Sequence, residues 1–372
     1  MPIDIRGRLP FCGKRPTRDS EAGRYAAFFV PSPTRTTADA QVIIRAAREQ
    51  QALGYDSSLI PTNSARPDVW ACCGWALAAT DRLHLVGALR MGWQQPTLAA
   101  RTLATLSQLS GGRIHAHLLQ GRSDEDMRRD GDRLPKAERY ERSEAFLQVF
   151  KRTLQSTTAF DFDSPYYRVK GAFSAVKPLP GLTLHMPGGS EAGQQLAARH
   201  ADVWAVAGRS TAEVAQAIER MRQLAHAQRR TLGGFWAGGF NVILGETDEQ
   251  AWAKATAITE EVRRHLHTPP SERRGPLQPS GDALYLGLSE LTGHGPSLVG
   301  SPQTLAARVL EYYRAGVTCI TLGGLCEYQS DDGSDLIGAH DRQLLAELIR
   351  QVRARVAAHD ASLPPQSARS LE

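Results

Sequence analysis

Short apolar runs alternate with longer stretches of helical spacing along most of the chain. Runs at residues 3–9, 55–60, 83–89, 114–119, 182–186, 202–206, 235–244 and 318–322 read as strands. Between them, residues 38–53, 68–80, 96–109, 138–154, 211–228, 248–265, 302–315 and 337–358 carry apolar positions at helical spacing. In the first of these helices Val42, Ile43, Ala46 and Ala47 share a face, and Gly54 supplies the stop. Pro96 stands near the start of another, where a missing N–H costs nothing. Strand and helix recur about every 30 residues, as parallel βα units do. Eight strands in this order predict a (β/α)8 TIM barrel; the alternative is a doubly wound open sheet, against which stand the count of eight and the lack of a dinucleotide fingerprint. The prediction is one barrel domain over residues 1–360 with a tail at 361–372. Insertions are expected near residues 10–37, 120–137, 157–178 and 267–300. The first and last of these are long enough to be mobile lids over a site, or plain linkers beside the barrel.

Composition narrows the class. The chain has 372 residues with a net charge of +5, and its basic residues are scattered, so a nucleic-acid stripe is not expected. No apolar run approaches the roughly 18 residues that span a bilayer, and residues 1–6 lack a signal-type apolar core. The five cysteines, Cys12, Cys72, Cys73, Cys319 and Cys326, have neither disulfide-framework nor metal spacing, so a reduced, cytoplasmic protein without a metal is expected. His265 and His267 are two apart at a helix end and point to different faces.

One stretch carries specific chemistry. Residues 182–186 form a strand that runs into Pro187, Gly188 and Gly189, after which a helix opens with Ser190 at its N-cap. Glycines without Cβ atoms let a ligand approach, and the first amides of a helix sit at the positive end of its dipole. That combination suits a phosphate; the same residues also read as an ordinary serine-capped turn.

Several stretches, taken in order, resemble a known family: Leu59-Ile60-Pro61-Thr62, residues 86–90 with 95–101, residues 106–113, Asp130-Gly131-Asp132, Glu138-Arg139-Tyr140-Glu141, Gly188-Gly189-Ser190 and residues 246–252. From Ile3 to Ala358 the chain resembles the bacterial-luciferase-like flavin monooxygenases, and within them the alkanesulfonate monooxygenase subgroup. The resemblance implies a TIM barrel, reduced FMN (FMNH2) delivered by a separate NAD(P)H-dependent flavin reductase, O2 as co-substrate, and a homodimer or homotetramer. It places the flavin phosphate at Gly188, Gly189 and Ser190 with help from Tyr140, and the ring near Thr62, Leu89, Arg90, His117 and Gln120. His117 stands where the sulfonate enzymes usually carry Asn.

The departures bear on substrate. Arg66 occupies the position of the subgroup's cysteine, Gly239 and Asn241 occupy those of its Arg and His, Leu291 lies near that of its loop Arg, and Leu325 replaces its Tyr. A sulfonate needs charge-assisted donors, so flavin chemistry with a small organic substrate other than a simple alkanesulfonate is expected. The catalytic candidates are His117, as a hydrogen-bonding or proton-relaying imidazole, and Asn241, as an orienting amide. Their alternatives are a satisfied core histidine and a pairing with a neighbouring loop. Cys12, Arg66 and Trp236 are the substrate-side candidates; Cys12 is also consistent with an inert buried thiol, and Trp236 with plain packing. A deazaflavin-dependent hydride-transfer enzyme and a non-catalytic flavin-binding subunit are the competing functions.

Overall fold

The computed structural model describes residues 3–10, 20–29, 38–121, 123–266, 283–323 and 338–363. Eight parallel strands close into a barrel: β1 (Asp4–Arg8), β2 (Ser57–Ile60), β3 (His84–Arg90), β4 (Ile114–Leu119), β7 (Leu184–Pro187), β8 (Val203–Ala207), β9 (Gly234–Gly238) and β13 (Cys319–Thr321), the last pairing back onto β1. The chain is therefore a (β/α)8 barrel. Between β4 and β7 stands a small antiparallel hairpin, β5 (Phe160–Asp163) with β6 (Arg168–Ala172).

The helices begin and end where local chemistry dictates. Before α2 (Ala40–Leu53), the Asp39 carboxylate accepts from the amides of Gln41 and Val42, and Gly54 closes the helix at φ 95°. Helix α4 (Pro96–Leu109) opens on its proline, and α9 (Asp248–His265) is capped by the Thr247 hydroxyl. Cys72 and Cys73 lie buried in α3 (Val69–Ala78) and pack in the core. Among the described residues no helix is long and apolar enough to cross a membrane.

Four expectations change. Residues 235–244 are not one strand, because the turn at Gly238 and Gly239, the latter at φ 90°, ends β9 and sends the chain into a second sheet. There β10 (Asn241–Leu244) pairs in parallel with β12 (Ser297–Gly300), and β11 (Leu284–Tyr285) pairs antiparallel with β12. The stretch 267–300 thus supplies two strands and the short helix α10 (Gly287–Thr292) wherever it is described. Within residues 11–37, residues 21–29 form helix α1 (Glu21–Phe29), whose Tyr25 and Phe29 join Ile258 and Val262 of α9 in a satellite core. The polar insertion after β4 contains α5 (Asp124–Arg129), capped by Ser123.

The barrel interior below the site is polar. Arg6 of β1 is almost fully buried; its Nη2 donates to Asp4 at 2.6 Å and its Nε to Ser57 Oγ at 2.8 Å, while Ser57 Oγ donates to the other Asp4 oxygen at 2.7 Å. The guanidinium also stacks over the Trp236 ring at 4.4 Å. Burial works to raise the Asp4 carboxyl, but Arg6 and the Ser57 hydroxyl outweigh it and hold it below its ordinary range. Replacing Arg6 by Met should strand Asp4 and cost up to about 3 kcal/mol, the low end for a broken buried pair, because the Asp4 side chain keeps 30% exposure. Denaturant melts of Arg6→Met and of the Arg6→Met/Asp4→Asn pair check this: the double variant should recover part of the loss, and equal losses in both would contradict the ion-pair account.

Candidate functional site

Two cavities open at the carboxyl ends of the barrel strands, where barrel sites lie. The first, about 700 Å3, is lined by Thr62, Arg90, Leu119, Gln120, Gly121, Lys136, Tyr140 and the run Pro187 to Ser190. The second, about 850 Å3, is bordered by Arg8, Leu59, His117, Trp236 and Thr321 on the barrel side and by Gly238, Gly239 and Thr292 to Gly295 on the excursion side. Pro187, Gly188 and Gly189 line both, so the two chambers meet at the end of β7.

The strand-to-helix loop at residues 187–190 sets two glycines ahead of a serine cap. Ser190 caps α7 (Glu191–His200) by accepting from the Gly193 amide, and its Oγ stands 2.8 Å from the Tyr140 hydroxyl. Tyr140 comes from α6 (Lys136–Gln155), whose first residue, Lys136, brings a cation to the same chamber. The two glycines differ in role. A Cβ on Gly188 would lie 2.8 Å from the backbone of Gly193, so this glycine lets the first turn of α7 settle onto the strand end. Gly189 meets nothing within 4 Å and is the one left open to a ligand.

Across the chamber, Arg90 at the end of β3 is 5% exposed. It pairs with Asp126 of α5, which also accepts from the Ser64 amide and hydroxyl, and its guanidinium stacks on Trp93 at 4.4 Å. Thr62 and Gln120 border the same space; Gln120 Nε2 is buried without a hydrogen-bond partner among the described residues. Leu89 points to the outer side of its strand and packs in the hydrophobic core, lining neither chamber.

His117 of β4 faces the larger chamber, its ring 5.0 Å from Trp236 and edge-on to it. Its Nδ1 is buried and has no hydrogen-bond partner among the described residues. Burial, then the charge of Arg6, depress the imidazole to about 3 against a weaker opposing bond to the His185 backbone, so the ring is neutral. Trp236 is fixed by its indole N–H, which donates to Thr321 Oγ1 at 2.8 Å.

Beneath His117 runs an ordered chain of neutral imidazoles. Arg6 Nη1 faces His185 Nδ1 at 3.4 Å, so that nitrogen accepts and His185 Nε2 carries the proton toward Thr183 Oγ1 at 3.0 Å. Thr183 then donates to His115 Nδ1 at 2.8 Å. The Thr183 backbone amide also donates to His115 Nδ1, which independently makes that nitrogen an acceptor. His115 Nε2–H donates in turn to His84 Nδ1 at 3.0 Å. Burial, then His84 and Arg6, hold His115 down to about 4.

Asn241 is fully buried outside the barrel wall: its Oδ1 accepts from Arg8 Nη1 at 3.0 Å and its Nδ2 donates to the Gly295 carbonyl at 3.0 Å. The structure therefore gives it a loop and an arginine to hold. Arg66 lies half-buried in the loop after β2 and lines neither chamber, and Cys12 lies outside the described residues. Sequence reasoning missed Arg8, Lys136 and Asp126. Arg8 was legible as a charged residue at a strand's carboxyl end; the other two needed the fold to bring the insertion and α6 to the mouth.

The sequence model of the luciferase-like monooxygenases matches residues 21–319. The chain belongs to the luciferase-like monooxygenase family. Among solved structures, a long-chain alkane monooxygenase (LadA) superposes with a TM-score of 0.71 at 16% identity, covering 97% of this chain and 92% of that one. An EDTA monooxygenase (EmoA) from Chelativorans sp. BNC1 gives 0.69 at 17% identity, covering 98% and 95%. An F420-dependent secondary alcohol dehydrogenase gives 0.65 at 15% identity, covering 95% and 99%. At these identities the likenesses define the fold that the chambers are built on.

The imidazole chain has a pH consequence. In the unfolded chain His115 and His117 titrate near 6.5, whereas in the fold they stay neutral to about 4 and about 3. Between these values the unfolded state binds protons that the folded state refuses, so stability is complete above about pH 6.5 and falls as the pH drops toward 4. His115→Gln should flatten that fall by up to about 1.4 kcal/mol per pH unit; melts at a series of pH values with an unchanged slope would refute the assignment.

Proposed function

We propose that this chain is the oxygenase of a two-component system, a monooxygenase that uses FMNH2 and O2 on a small organic substrate, the FMNH2 coming from an NAD(P)H-dependent flavin reductase. The observation that carries the reading is the pair of joined chambers: one lined by the Gly188–Gly189–Ser190 loop with Tyr140 and Lys136, the other walled by Trp236 and His117, with Gln120 Nε2 and His117 Nδ1 left without partners among the described residues. Buried polar atoms without partners are uncommon and suit a ligand that completes them.

These residues fit FMN. Ser190, Tyr140, Lys136 and the open amides of the first turn of α7 would hold the phosphate, and Thr62, Arg90 and Gln120 would border the ring. Reduced flavin supplies the activation of O2 there. The protein's share is orientation and protonation: Arg90 is held by Asp126 and Trp93, and His117, neutral and lining the larger chamber, would serve there as a hydrogen-bonding and proton-transfer group. A simple alkanesulfonate fits poorly, since Gly239, Asn241 and Leu291 bring no charge where the sulfonate enzymes carry it.

The fold of the F420-dependent dehydrogenase favours one second reading, deazaflavin-dependent hydride transfer in the same chambers. A flavin-binding subunit without catalysis would bind FMN and form no product. Assembly as a homodimer or homotetramer is supported by Trp75, Leu98 and Leu109, large apolar side chains exposed on α3 and α4.

Flavin binding followed by fluorescence tests the placement. Ser190→Ala and Tyr140→Phe should each weaken FMN roughly fivefold, for one neutral hydrogen bond lost, and Lys136→Gln by tenfold or more, on the order of a charge-assisted bond. Unchanged affinity in all three would remove the cofactor from this chamber. With a reductase, NADH and 18O2, product labelled with one oxygen atom supports the monooxygenase; tighter binding of reduced deazaflavin, with substrate reduction and no label, supports the second reading.

A further inference from the structure

We propose that Asp126, a residue outside the chamber lining, sets the charge that the cofactor ring meets by pairing with Arg90, and with it how far the chamber favours reduced over oxidised flavin. The inference rests on reading the smaller cavity as the flavin site. Among the described residues that border this cavity, Arg90 and Lys136 are the charged ones. Lys136 stands one turn before Tyr140 on α6, and Tyr140 meets the Ser190 cap, so this cation belongs to the phosphate end. Arg90 ends β3, between the neighbouring strands β2 and β4 whose ends lead to Thr62 and Gln120. The charge beside the ring is therefore decided at Arg90.

Asp126 reaches that arginine from the insertion after β4. One carboxylate oxygen pairs with Arg90 Nη2. The other accepts from the Ser64 amide at 3.1 Å and from the Ser64 hydroxyl. Both members of the pair are shielded, with the Arg90 side chain 6% exposed and the Asp126 side chain 17%. Helix α5 is pinned on either side of this contact. Asp124 accepts from Arg139 of α6 at 2.7 Å, and the buried Met127 brings its sulfur to 3.5 Å from Arg90 Nη1. With Trp93 against its flat face, the guanidinium is held from three directions. Asp126 does not border the chamber, so it is a positioning residue that acts through Arg90.

The chemistry of the ring gives this pair its consequence. A carboxylate in contact with a cation takes up much of its field, and what remains acts with little screening in a shielded site. Reduction makes the flavin ring richer in electrons, and the reduced ring readily sheds a proton to become an anion. A bare Arg90 would favour that anion strongly; an Arg90 paired with Asp126 favours it weakly. Asp130, exposed at the end of α5, also acts on Arg90 through its charge, from a place where solvent screens it. The preference for reduced flavin is thereby tuned by the insertion.

Three variants of the full chain test this by charge. The readouts are the midpoint potential of bound FMN, titrated against a reference dye, and the separate affinities for oxidised and, without air, reduced FMN. Asp126→Asn keeps the shape and removes the acid. Reduced FMN should then bind roughly tenfold more tightly and oxidised FMN as before, raising the potential by about 30 mV, the equivalent of tenfold for a two-electron couple. Arg90→Gln leaves Asp126 without its cation and should lower the potential by a similar amount. The Arg90→Gln/Asp126→Asn pair should return it to the wild-type value. Should Asp126→Asn not fold, the step from Arg90→Gln to the double variant still reads the Asp126 charge. A purely structural role would weaken both redox forms alike and leave the potential unmoved; that result, or shifts of one sign in both single variants, overturns the proposal. Flavin bound with a potential indifferent to all three changes sinks this inference alone. A chain that binds no flavin, or binds it with Ser190, Tyr140 and Lys136 all dispensable, sinks the cofactor placement and this inference with it.

Discussion

A single buried cation organises the interior of this barrel. Arg6 cannot lose its proton, and it sits among side chains with little water to solvate it. Its charge is balanced by Asp4 and Ser57, its flat face lies on Trp236, and its remaining edge turns to His185. Each contact has a downstream effect. The stacking holds Trp236 as a wall of the larger chamber, and the bond to His185 fixes a tautomer that passes through Thr183 and His115 to His84. The charge also helps to keep His117 neutral. A network of this kind is costly when incomplete, because each polar group in a low-dielectric interior needs its partner.

Above that floor the site is assembled from parts with different physical jobs. The strand ends bring rigid positions: Arg90, His117, Trp236 and Arg8 each stand at or near the carboxyl end of their strand. The helices and insertions bring the groups that hold them there. Asp126 of α5 grips Arg90, and Tyr140 of α6 meets the Ser190 cap of α7. Asn241, displaced into the side sheet, grips Arg8. Side chains held by such second contacts keep their geometry better than side chains on loops alone, which is what an oriented reaction requires.

Much of this was legible in the chain. Eight strands, the order of the helices and the cap at Ser190 follow from apolar periodicity and from residue types with strong local meaning, such as Pro96 and Gly54. The cofactor candidates Thr62, Arg90, Gln120, Tyr140, Gly188, Gly189 and Ser190 all line one chamber, because strand-end residues in a closed barrel converge on one face. Leu89 does not, since alternation along β3 turns it to the outer core, and His117, also a cofactor candidate, lines the larger chamber instead. Residues 235–244 misled as one strand: their apolar content is continuous, and only two glycines mark the turn that carries Val242 and Ile243 into a different sheet.

By itself, then, the sequence determined the barrel, its capped helices and the glycine-rich, serine-capped loop after β7, because those depend on neighbours a few residues apart. The tertiary structure alone decided which charges face the chambers, which histidine nitrogens carry protons, and that Asn241 serves Arg8. Those outcomes depend on contacts between residues as far apart as Arg6 and His185, or Arg8 and Asn241, whose meeting is set by closure of the barrel and by the excursion that leaves it. Local propensity carries no information about such distant pairings; they arise only when the strands come into register.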